Sequence, residues 1–198
     1  MNRVPKRELL LGALLVATAV AVRWLGASAE WTLLPPNATP VAAIGLFAGF
    51  LFANRTAALL VPLAALAISN LALDSYGSVW MVGVVYGSFL AAPLLGRWLR
   101  ERPTAYRAVA AVLLPALLFY VTTNFATWLV GFGGPHAAYA ASWHGLALCY
   151  ARGIPFFRWM LEGDIAFSAI LFGGYALVAA LAGNRSPRFK HRRLAPCR

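Results

Sequence analysis

The chain has 198 residues, 61% of them hydrophobic and 12% charged. A soluble domain is about 45–50% apolar, and a single core of this length cannot cover so much apolar surface, whereas six membrane spans of ~20 residues absorb roughly 120; a soluble enzyme and a disordered chain are both excluded. The net charge of +11, from 17 basic and 6 acidic residues, would suggest nucleic acid as the partner of a soluble protein; in a membrane chain it bears first on topology, and no nucleic-acid partner is expected.

Apolar runs at roughly 9–27, 38–53, 56–73, 77–97, 108–131 and 163–183 predict an all-α bundle of six transmembrane helices. The first run follows a basic start and ends at Ala27-Ser28-Ala29, which imitates a cleavable leader. Arg23 and Trp24 interrupt it before that triplet, so an uncleaved span is expected, with Arg23 snorkelling to the outer headgroups. The second run is short, about 16 residues, and carries Pro40 where a first helical turn tolerates it; it either spans or is partly re-entrant. Asn37 is expected to cap it, with Thr39 beside it, while Asn70 and Asp74 close the third run on the same side. Small residues recur every fourth position at Ala13, Ala17 and Ala21, at Gly45, Gly49 and Ala53, and at Gly83, Gly87 and Ala91. Such stripes let backbones approach within the monomer, or form a face for another membrane subunit.

The fifth run is the most informative. Tyr120, Thr123, Asn124 and Thr127 recur at i, i+3, i+4 and i+7, one face of a helix. Asn124 lies roughly 10 Å from the outer end of the run at 1.5 Å per residue. A polar stripe in a membrane helix faces either interhelical hydrogen-bond partners or a wet cavity. The segment 132–162 holds Tyr139, Trp143, Tyr150, Phe156 and Phe157, too apolar for a solvated connector, and is expected to fold back over the bundle as a lid. It would bring His144, Arg152, Arg158 and Glu162 near the outer mouth. Asp164, after Gly163, is expected either to cap the last span or to contact a ligand or cation. Residues 1–183 form one transmembrane domain, and 184–198 a basic tail able to attract anionic lipid.

Sidedness follows from the basic residues, which are retained on the cytoplasmic side. Fourteen of the 17 fall in the N-terminal tail, at Arg55, between Arg97 and Arg107, or in the C-terminal tail, which are alternate ends of a six-span chain. Both termini are therefore expected in the cytoplasm. Six of the seven tryptophans, Trp24, Trp31, Trp80, Trp128, Trp143 and Trp159, then map to the outer half and only Trp98 to the inner. They either line an outward pocket or anchor the outer surface. Cys149 and Cys197 lie on opposite sides, so no intrachain disulfide is expected.

The chain lacks HExxH, GxSxG and GxxxxGK[ST], and no histidine pair has metal-ligand spacing within a span. No cofactor, no metal and no catalytic activity are expected. The blocks NATPVAAIGLFAG (37–49), VPLAALAISNLAL (61–73), VYGSF (85–89), TTNFATWL (122–129), GLALCY (145–150), IPFF (154–157) and GDIAFSAILFG (163–173) together resemble the DUF6580 family of bacterial multi-pass membrane proteins of unknown function. That family in turn resembles the S components of energy-coupling factor (ECF) transporters. The resemblance implies a six-helix protein of the bacterial cytoplasmic membrane that captures a small molecule from outside and associates with a membrane coupling subunit and ATPases. Asn124, Trp128, Tyr139, His144, Tyr150 and Asp164 are the expected ligand-binding residues. The alternatives are an outward-facing enzyme using Asp164 or Glu162 with His144 as acid and base, and a non-catalytic membrane scaffold.

Overall fold

The computed structural model describes residues 4–27, 35, 37–73, 76, 78–131 and 138–183. Trp31, Asp74, Cys197 and the basic tail lie outside them. The described residues are helical and contain no strand: α1 (Lys6–Ala27), α2 (Val41–Leu51), α3 (Arg55–Ser69), α4 (Val79–Phe89), α5 (Ala91–Glu101), α6 (Ala105–Val130) and α7 (Trp143–Leu181). Leu90 between α4 and α5 keeps right-handed helical angles, φ −68° and ψ −19°, so Val79–Glu101 behaves as one apolar helix of 23 residues. With α1, α6 and α7 it makes four helices long and apolar enough to cross a membrane.

The two remaining helices are shorter. α2 has 11 residues and α3 has 15, rises of about 16 and 22 Å against a hydrocarbon core of ~30 Å. Among the described residues four long helices and two short ones thus stand where six apolar runs were expected, the second of them short. α2 ends early because Phe52 turns to extended backbone, ψ 135°. Its sequence VAAIGLFAGFL is apolar on every side, the pattern of a helix surrounded by others, and every residue from Val41 to Gly49 is buried. α2 touches each of the other six helices.

Small side chains permit this. A Cβ on Gly49 would collide with the Pro93 carbonyl of α5, and one on Gly96 with the Leu46 carbonyl of α2, while a Cβ on Gly45 would lie 3.2 Å from Pro93 and 3.3 Å from Pro62. The Gly45 and Gly49 stripe therefore packs within the monomer. Gly83 and Gly87 meet nothing within 4 Å and face outward from α4. On the far side of α2, Phe172 of α7 sets its ring edge against Phe47 at 5.3 Å and Phe50 at 5.2 Å, a preferred aromatic geometry.

Polar contacts fix the ends. At one end Glu8 accepts from the Ala53 and Asn54 amides at 2.7 and 3.3 Å, and Asn54 caps α3 by accepting from the Ala57 amide at 3.0 Å. There Arg100 donates to the Phe52 carbonyl at 2.7 Å and Arg97 to that of Ala53 at 3.4 Å, cations beside the carbonyl end of α2. These arginines therefore have a structural role. At the opposite end, Trp24 Nε1 donates to the Ser69 carbonyl at 3.0 Å and pins α1 to α3.

The expected lid is corrected by α7. From Trp143 onward the segment is helical and continuous with the last apolar run, 39 residues in all. Ser142 starts the helix by accepting from the Gly145 amide at 3.1 Å. The helix runs through Gly153, Pro155 and Gly163 without a break, which keeps most of its backbone N–H and C=O groups paired. Asp164 consequently lies well inside α7, away from the free amides of a helix start, and caps nothing. Asn37 has a left-handed backbone, φ 67°, and does not cap α2, whose N-cap position is Pro40.

Candidate functional site

The polar stripe of α6 faces the region where α1 and α3 finish and α2 and α4 begin, beside the middle of α7. A cavity of about 300 Å³ opens there. Tyr120, Thr123 and Asn124 form its α6 wall with Phe119; Gly153, Phe156, Phe157 and Met160 of α7 lie opposite. Arg23 of α1, Asn37 and Thr39 before α2, Tyr76 before α4 and Phe89 at the end of α4 complete it.

The stripe is satisfied mainly by its own helix. Thr123 Oγ1 donates to the Phe119 carbonyl at 2.7 Å, Thr127 Oγ1 to that of Thr123 at 2.8 Å, and Asn124 Nδ2 to that of Tyr120 at 2.8 Å. Back-bonding of this kind hides donors in a membrane helix and leaves the hydroxyl lone pairs of Thr123 and the rest of the Asn124 carboxamide toward the cavity. Gly153 makes room for that carboxamide, since a Cβ there would run into Asn124 Oδ1. Tyr120 is the stripe residue whose side chain bonds across helices, its hydroxyl donating to the Tyr150 carbonyl at 2.7 Å, while the Asn124 carbonyl accepts from Cys149 Sγ of α7 at 3.3 Å.

Of the six residues expected at a binding site, the structure places Asn124 on the cavity wall and the other five elsewhere. Tyr150 stands behind the wall. Its hydroxyl donates to the Val121 carbonyl at 2.8 Å and its ring meets that of Tyr120 at 5.5 Å, so it holds α7 to α6 and aligns Tyr120, whose ring lies 4.8 Å from Phe157. Trp128 Nε1 donates to the Ala140 carbonyl at 3.1 Å, tying the segment before α7 to α6. Tyr139 lies under the Arg152 guanidinium, 5.8 Å from ring centroid to charge. His144 is exposed on the first turn of α7. Glu162 pairs with Arg158 at 2.9 Å on the exposed face of the same helix. Helical rise separates His144 from Glu162 and Asp164 by roughly 27 and 30 Å along α7, so the three do not form an acid–base group.

Asp164 is 3% exposed. It faces Ala42, Ala43 and Leu46 of α2 and Ala111, Val112 and Pro115 of α6 across a gap too small for a water molecule, with Ser168 one turn further along α7. Its Oδ2 has no hydrogen-bond partner. An unpartnered buried polar group is destabilising by about 1–3 kcal/mol. Asp164→Ala, which removes the unpartnered oxygen and adds no donor, is therefore expected to raise the thermal unfolding midpoint in detergent by roughly 2–4 °C, about 1 kcal/mol. A lowered midpoint would show that the carboxylate has a stabilising partner.

Of the two alternatives for the tryptophans, the structure does not show the pocket-lining one. Among the described tryptophans none lines the cavity; Trp80 and Trp143 are 80% and 86% exposed, and phenylalanine and tyrosine rings make the wall instead. Arg23 does not snorkel outward. Its Nη2 donates to Asn70 Oδ1 at 2.9 Å, Asn70 Nδ2 donates to the Tyr86 hydroxyl at 3.3 Å, and Arg23 Nε is buried without a partner. The signal for Arg23 was present in the chain, a charge inside an apolar run, which by default marks a functional position. Gly153 carried no such signal, because its role depends on the partner helix.

The chain belongs to the family of unknown function DUF6580, whose sequence profile matches residues 4–187. No curated protein and no solved structure matches the chain.

Proposed function

We propose that this DUF6580 member is a membrane-embedded small-molecule-binding protein of S-component type, capturing a substrate on the outer side of a bacterial cytoplasmic membrane for uptake. The cavity is the observation that carries this proposal: about 300 Å³, at the lower end of ligand-pocket sizes, apolar and aromatic in most of its wall with a few placed polar groups. It opens at the end of the bundle opposite Arg97, Arg100 and Arg107, the outer end if basic residues stay inside. In this orientation both termini are cytoplasmic, and α2 and α3 complete a six-helix domain with the four long helices. The sequence has no phosphate-binding loop, so uptake would draw on a separate coupling subunit with ATPases. Anionic lipid would meet the basic tail.

Native mass spectrometry of the full chain, extracted in mild detergent, tests the binding role. The expected spectrum contains a retained small molecule, lost in Asn124→Leu while that variant keeps its unfolding midpoint. Wild-type protein without any retained species, and without stabilisation by any member of a metabolite library, would defeat the binding role. Retained membrane and ATPase subunits in the same spectrum would support the transport assignment; a binding-competent protein that never co-purifies with them would count against uptake.

A further inference from the structure

We infer that the cavity selects a small anion, a carboxylate on a compact apolar body, and that Arg23 is the residue that recognises it. This inference rests on the binding role proposed above and adds the chemical class of the ligand.

Arg23 lies on the last turns of α1 and reaches the cavity wall. Its guanidinium is held in place from behind, through Asn70 at 2.9 Å and then the Tyr86 hydroxyl at 3.3 Å. Both of these partners are neutral. The only ion pair among the described residues is Arg158–Glu162, on the exposed face of α7, and none of the described residues that line the cavity is acidic. The positive charge of Arg23 is therefore uncompensated by the described residues, while its Nε is buried with an unused hydrogen.

Arg23 is half-buried, and partial removal of a charge from water without a counter-charge is destabilising. Arginine does not escape by losing its proton, as a lysine can. A carboxylate answers the charge: its two oxygens match the planar donor fork of a guanidinium, and its charge neutralises the site. The terminal nitrogen bonded to Asn70 keeps a second hydrogen, so binding leaves the positioning contact intact.

The remaining wall describes the rest of the ligand. Phe119, Phe156 and Phe157 offer apolar and aromatic surface, and Thr123, whose own hydrogen is committed to the Phe119 carbonyl at 2.7 Å, offers an acceptor. A volume of about 300 Å³ equals that of about ten waters, which suits a body on the order of ten to fifteen non-hydrogen atoms. A cationic ligand would meet Arg23 with no counter-charge among the lining residues, a repulsive arrangement.

The test compares phenylacetate with phenylacetamide, equal in size and differing in charge, at equal concentration. The readout is the thermal unfolding midpoint of the full-length chain in detergent, with native mass spectrometry of retained species on the same samples. Phenylacetate is expected to stabilise the protein more than the amide, and any retained species to carry a carboxylate. R23Q should weaken phenylacetate binding at least ~10-fold and abolish the preference over the amide. R23K, which keeps the charge but not the fork, should fall between the two and decides the matter if R23Q does not fold. Equal stabilisation by acid and amide, unchanged in R23Q or R23K, would overturn the anion assignment and leave a binding cavity. A retained neutral or cationic molecule would do the same. No stabilisation by either probe, together with no retained species, would overturn both this inference and the binding role beneath it.

Discussion

Gly96→Ala is expected to destabilise the protein by about 3 kcal/mol, at the upper end of what one added methyl group does in a packed core. The reason is what the new Cβ would meet. It collides with the Leu46 carbonyl and lies within 3.0 Å of the Phe50 amide nitrogen, both backbone atoms of α2. Side chains can change rotamer, but this contact is relieved only by moving a helix. α2 is packed on every side by the other helices, so displacing it disturbs Phe47 and Phe172 as well. Gly49→Ala, aimed at the Pro93 carbonyl from the opposite partner, should behave alike. Gly83→Ala is the control: nothing lies within 4 Å of that position, so the better helix propensity of alanine should leave stability unchanged or raise it by up to about 1 kcal/mol. Thermal unfolding in detergent distinguishes the cases. Wild-type stability in Gly96→Ala would mean that α2 and α5 do not pack as described.

Gly153→Val should abolish ligand retention, reducing affinity about 10- to 100-fold, with a smaller effect on folding. Already with alanine the added carbon runs into Asn124 Oδ1, and the carboxamide carbon lies 2.9 Å away. Asn124 must then leave its bond to the Tyr120 carbonyl or swing into the cavity, and either movement spoils the wall that a ligand meets. Loss of one positioned hydrogen-bonding group accounts for about tenfold, and the filled volume for the rest. Combining Gly153→Ala with Asn124→Ala removes the collision, so stability should recover while binding does not, a non-additive pair of neighbours. Unaltered retention of the bound molecule in Gly153→Val would place the ligand elsewhere.

How much of this was legible in the chain varies by feature. The stripe Tyr120, Thr123 and Asn124 was visible because helical period is a local property, and the same three side chains share the cavity wall. Their bonds were not visible: back-bonding to α6 is decided by whether a partner helix offers anything better, and α7 offers only the Tyr150 carbonyl to Tyr120. The aromatic wall was half legible, since Phe156 and Phe157 were noted in an apolar stretch whose helical state was missed. The length and apolar content of 132–162 pointed to a lid; continuous helix from Trp143 to Leu181 instead keeps its backbone groups paired.

Composition and the positions of the charges by themselves were enough to determine a helical chain with long apolar segments, and a polar face on the fifth of them. These are properties of single segments, set by side-chain transfer energies and helical period. Tertiary structure alone decided that α2 is the central helix, that Arg23 turns inward to Asn70, and that Asp164 is sealed between α2 and α6. In each case the outcome depends on which helix lies opposite and how closely it approaches, and that is a relation between distant parts of the chain.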